Sequence, residues 1–88
     1  MKQEELKQTL EKLTIEVSKI DASDTESRKK LMELAEFVRQ KLETPEDQDH
    51  HNKLLEKLND ETVHFKVDHP LITATLEDMI AVLNDFGV

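Results

Sequence analysis

The chain has no cysteine, no tryptophan and no tyrosine, a single glycine and only two prolines. Without thiols there are no disulfides, no thiolate nucleophile and no cysteine-ligated zinc, which fits a reducing compartment. One glycine leaves no room for a glycine-rich phosphate loop, and no nucleophile elbow is present. So few turn formers are unsuited to a sandwich or barrel of many short strands and suit long helices. Also missing is any long apolar run: the charged start Met1-Lys2-Gln3-Glu4-Glu5 is not followed by a signal peptide or membrane span. A cytoplasmic protein without a membrane partner is expected.

Basic charge is scarce and unevenly placed. The net charge is −8. Residues 1–20 carry four basic and four acidic side chains, residues 45–67 three and six, and residues 68–88 none and four. A chain that becomes more acidic toward its most apolar segment is poorly suited to phosphate backbones, so no nucleic-acid partner is expected. At 88 residues, one domain spanning 1–88 has a core that only just offsets chain entropy. A second chain sharing the burial is the usual remedy at that size.

Four helices are expected, over about residues 3–20, 25–43, 46–67 and 70–86. In the first, Leu6, Leu10, Leu13, Val17 and Ile20 recur at steps of four and three, within an arc of roughly 80°, narrow enough for a coiled-coil seam. Ile15 stands apart from it. Ser23 with Glu26 reads as a capping box for helix two, whose apolar face runs through Leu31, Leu34, Ala35, Phe37, Val38 and Leu42 and excludes Met32. Thr44-Pro45-Glu46-Asp47 reads as a threonine N-cap with proline in the first turn of helix three, although the wholly polar stretch Gln48 to Lys53 suits a loop as well.

Helix three sets Leu54, Leu55, Leu58 and Phe65 on one side, with Val63 and Val67 on nearly the opposite side. Pro70 starts helix four, with Asp68 or His69 as its cap and Gly87 as its C-terminal stop. Between them Leu71, Ile72, Leu76, Met79, Ile80, Val82, Leu83 and Phe86 spread over roughly 180°, more than one neighbour covers.

The stretch F-K-V-D-H-P-L-I-T-A-T-L at Phe65 to Leu76, the terminal L-N-D-F-G-V, and S-R-K-K-L-M-E-L-A-E at Ser27 to Glu36 together resemble a small bacterial domain-of-unknown-function family, numbered 4404. The resemblance implies an all-helical protein. It brings no catalytic residues with it.

Histidine offers the remaining chemistry. His50 and His51 follow Asp47 and Asp49 and are the candidate metal ligands, yet adjacent helical residues diverge by about 100°, so a rim histidine over the core is the competing reading. Glu61-x-x-His64 matches one element of a di-iron bundle but lacks the second such element and the inward carboxylates the site requires. His69, between Asp68 and Pro70, reads as a helix cap or as a pH-sensitive contact at a helix start. Serines and threonines fall mainly at caps or exposed positions, and carboxylates on solvent faces.

The expectation is therefore an all-α protein of helical hairpins or a four-helix bundle, with coiled-coil-like packing completed by dimerisation. It is expected to be no enzyme and to need no cofactor, acting as a homodimeric protein-protein interaction module through Val63, Val67, Leu71, Ile80 and Val82. The alternative is a metal- or small-ligand-binding protein using His50, His51 and nearby acids.

Overall fold

The computed structural model describes residues 2–86. It contains four helices: α1 Lys2–Ser18, α2 Thr25–Glu43, α3 Gln48–Phe65 and α4 Pro70–Phe86. No strand occurs among the described residues. Contacts run α1 to α2, α2 to α3, α3 to α4 and α4 back to α1, so the helices close a four-membered ring. Connections at 19–24, 44–47 and 66–69 are short enough to force antiparallel neighbours. The ends agree: Lys2 Nζ donates to Asp85 Oδ2 at 3.0 Å, and His69 Nε2 lies 3.7 Å from Asp24 Oδ2. The bundle measures 39 × 20 × 18 Å.

The connections are made without any positive-φ residue among those described, which is how a chain with one glycine turns three times. After Ser18 the amides of Lys19 and Ile20 bond to Glu16 and Val17, both at 3.1 Å. This three-residue spacing tightens the last turn, so α1 ends before the expected residue 20. Ile20 nonetheless remains in the core. Asp21 then accepts both the amide and the hydroxyl of Ser23 at 2.9 Å.

That arrangement corrects the expected capping box. Ser23 is bound to Asp21, and the N-cap of α2 is Asp24, whose carboxylate accepts from the Ser27 amide at 3.2 Å. The second connection departs in the same way. Thr44 is the C-cap of α2, its amide donating to Gln40 O at 3.0 Å, because the residue before a proline is pushed out of helical geometry. Asp47 caps α3, accepting from the His50 amide at 3.1 Å. At both starts a carboxylate holds the position expected for a hydroxyl, and a full negative charge complements the positive helix end better.

At the third connection α3 ends at Phe65, two residues before the expected 67, and Pro70 opens α4. The His69 carbonyl accepts from the Thr73 amide at 3.0 Å, as an N-cap residue's does. Its imidazole turns to Asp24 instead of to α4. Gly87, the expected stop of α4, lies outside the described residues.

The core follows the seams. Leu6, Leu10, Leu13 and Val17 of α1, Leu31, Leu34, Ala35 and Val38 of α2, Leu54, Leu58 and Phe65 of α3, and Ile72, Leu76, Met79 and Leu83 of α4 are all buried. α4 has the two most extensive contacts, one with α1 and one with α3. Its wide apolar arc is therefore accounted for inside the chain, and the width does not call for a second copy. Two threonines expected at exposed or capping positions, Thr73 and Thr75, are buried on α4 as well.

Leu76, fully buried, should cost about 2–5 kcal/mol when changed to Ala, whereas exposed Ile15 changed to Ala should stay within about 0.5 kcal/mol. Urea denaturation of both variants measures the contrast. The same assay should show Asp24→Ala lowering the midpoint more than Ser23→Ala; the reverse order would return the cap to Ser23.

Candidate functional site

Three large apolar side chains at steps of four residues cross the junction between α3 and α4 with little cover: Val63 is 76% exposed, Val67 88% and Leu71 72%. Val63 is forced outward because α3 commits Leu54, Leu58 and Phe65 to the core. Val67 lies in the turn, and Leu71 is on the first turn of α4, on the side away from Ile72. The two other residues expected on this surface, Ile80 and Val82, are partly buried and pack on the core. The structure thus keeps Val63, Val67 and Leu71 as the exposed set and separates the other two from it.

Beside Leu71 is a cavity of about 310 Å³ between the first and third connections, with Ile20, Pro70 and Ile72 as its apolar wall and Glu16, Asp68 and His69 among its polar rim. The Thr75 hydroxyl, fully buried, donates to Glu16 Oε1 at 2.5 Å. A hydroxyl to a carboxylate is a short, charge-assisted bond, and it ties α4 to α1 behind this cavity. His69 packs edge-on to Phe65, ring centroids 5.6 Å apart.

Two carboxylates hold the first connection. The bonds from Ser27 keep the Asp24 carboxyl below its ordinary value, with the nearby His69 adding to the effect. The Ser23 amide and hydroxyl do the same for Asp21.

The opposite end carries two buried titratable side chains. Lys41 is 2% exposed and His51 5%. The Lys41 ammonium donates to Pro45 O at 2.6 Å and sits 4.9 Å from the Phe86 ring centroid, a cation-π distance. Burial lowers its pKa, opposed by the charges of Asp47 and Glu46. Burial likewise lowers the pKa of His51, helped by the positive charge of Lys41 and by His50.

His50 faces elsewhere. Its Nε2 is 3.1 Å from Gln40 Oε1, and its ring stacks on Phe37 at 5.1 Å. The two candidate ligands therefore diverge, as the helical phase requires, and no group of three or more His, Asp or Glu side chains among the described residues is placed to hold a metal ion. His64 is exposed against Phe65, while Glu61 is half-buried.

Lys41 and the Thr75–Glu16 pair were not legible as site residues. The signal available was spacing: Lys41 continues the steps Leu31, Leu34, Val38, and Thr75 sits between Ile72 and Met79 on the buried face.

The sequence model of the family described as "Domain of unknown function (DUF4404)" matches residues 6–88. The chain belongs to the DUF4404 family. The match spans α2, α3 and α4 in full and α1 from its fifth residue on. No match was found among curated proteins or among solved structures. Roles within this DUF4404 chain accordingly rest on its own geometry. No helix among the described residues is long and apolar enough to cross a membrane.

His51 gives this chain a pH response of definite sign. Its folded pKa lies below the ordinary 6.5, so the unfolded chain takes up a proton first. The stability linked to neutral His51 is complete above 6.5 and is lost as pH falls through the folded value. Asp21 and Asp24, held below 3.8, lose theirs only in stronger acid. Chemical denaturation between about pH 6.5 and pH 5 should show falling stability, and His51→Met should flatten that slope. An unchanged slope would remove His51 as its source.

Proposed function

We propose that this DUF4404 protein is a non-catalytic, cytoplasmic interaction module that pairs with a second copy of itself through Val63, Val67 and Leu71. The exposure of these three apolar side chains, the most exposed large apolar residues among those described and grouped at one corner of the bundle, carries the reading. Exposed apolar side chains grouped in one region mark contact surfaces more than isolated ones do. Lys66 and Asp68 flank Val67 with opposite charges. A two-fold axis near Val67 sets the Lys66 of each copy toward the Asp68 of the other, the self-complementarity an isologous interface needs.

The coiled-coil-like spacing of α1 belongs to packing within the chain, since Leu6, Leu10, Leu13 and Val17 are buried in the single bundle. The buried polar groups work in folding: Thr75 holds Glu16 and Lys41 holds Pro45. Binding is thus the activity assigned to the surface, and catalysis to none of the residues.

Light scattering at micromolar concentrations should give the mass of a dimer. Val63→Lys combined with Val67→Lys should shift it to a monomer with an unchanged helical circular dichroism spectrum, because neither side chain is in the core. A wild-type chain that stays monomeric would overturn the proposal, as would a variant that still pairs normally.

A further inference from the structure

The face of the bundle between α1 and α2 lies across the ring from the α3–α4 face, and it carries a long depression. Its middle is a concavity of about 230 Å³ floored by Val17, Leu31 and Ala35, with Met32 beside them. At its two ends stand Arg28 and Arg39, and no carboxylate lines it. Adjoining concavities extend it toward Ile15 and Leu42 in one direction and toward Thr25 and Lys29 in the other, sharing Arg39 and Arg28 with the middle one. Met32 is 62% exposed over this floor.

We infer that this trough is a docking groove for an acidic amphipathic helix from a partner protein, seated with an apolar side chain in the middle concavity and a carboxylate on each of Arg28 and Arg39. The charge pattern selects that occupant. The chain has a net charge of −8, yet the centre of this groove presents two guanidinium groups and no acid. Glu11, Glu33 and Glu36 lie only along the outer stretches.

Arg28 forms no ion pair among the described residues. Arg39 holds Glu36 at 3.1 Å, both side chains about half exposed, an exposed pairing worth little and readily exchanged for an incoming carboxylate. The guanidinium fork favours carboxylate geometry over a point charge.

Spacing specifies the partner further. Arg28 and Arg39 are eleven residues apart on one helix, roughly 16 Å along its axis and about 20° apart around it. A second helix lying alongside meets both with two acids at the same eleven-residue separation, and an apolar residue four positions in from the acid that meets Arg28 shares their face and falls over Met32. This is helix-in-groove recognition, with side-chain anchors giving affinity and flanking charges giving register. The inference does not depend on pairing through Val63 and Val67, which sit elsewhere on the bundle.

The probe is a synthetic helical peptide of about 18 residues, with leucines on one face, glutamates eleven apart at its ends and one tryptophan on the far face. The protein has no tryptophan or tyrosine, so peptide anisotropy reports binding alone. Saturable binding is expected, weakening with added salt, and falling about tenfold with Arg28→Glu plus Arg39→Glu. Met32→Glu should weaken it too, with an unchanged melting temperature. The same affinity is expected in the Val63→Lys, Val67→Lys background, which separates this groove from the pairing surface.

Equal binding of a peptide with lysines in place of the glutamates would overturn the inference, as would the absence of saturation. A change in the mass of the protein alone on Arg28→Glu plus Arg39→Glu would show a second copy in the groove and overturn it as well.

Discussion

The double burial of α4 is the constraint on which the rest of the molecule depends. Ile72, Leu76, Met79 and Leu83 cannot be covered by one neighbour, so α4 must lie between α1 and α3, and the ring of four antiparallel helices follows. Once α4 is fixed, α2 closes the ring against α1 and α3. The Thr75–Glu16 bond then sets the position of α4 along α1. A buried hydroxyl that meets a carboxylate favours one register over its neighbours, whereas leucines slide past one another more cheaply.

What could be read from the sequence follows what each signal depends on. Helix number and core faces depend on periodicity, which is local, and Leu6, Leu10, Leu13 and Val17 or Leu31, Leu34 and Val38 state it directly. Helix starts were less legible because several residues compete. Ser23 and Thr44 are good caps in isolation, but Asp24 and Asp47 stand close by with a full charge. Lys41 and Thr75 were missed because polar residues on an apolar stripe are ordinarily placed outside it. Whether a lysine finds a carbonyl such as that of Pro45 depends on how the chain turns, which spacing does not encode.

The candidate surfaces divide along the same line. Val63 and Val67 stand out in sequence because they are off the apolar phase that runs through α3. Ile80 and Val82 share the phase of α4's broad face, and only its two neighbours reveal that they are partly covered. The trough between α1 and α2 was invisible, since its floor comes from two helices and neither pattern contains it. Its arginines read along the chain as ordinary charged residues of a solvated face.

The backbone of the three connections has a quieter consequence. With no positive-φ residue among those described, every turn lies in torsional territory open to any ordinary L-amino acid. The connectors are thus held by chemistry more than by stereochemistry: a carboxylate at 24, another at 47, and a proline opening the last helix. Substitutions around those few positions meet no torsional barrier, so the identity of the fold resides in the rhythm of its helices and a handful of acids at their mouths.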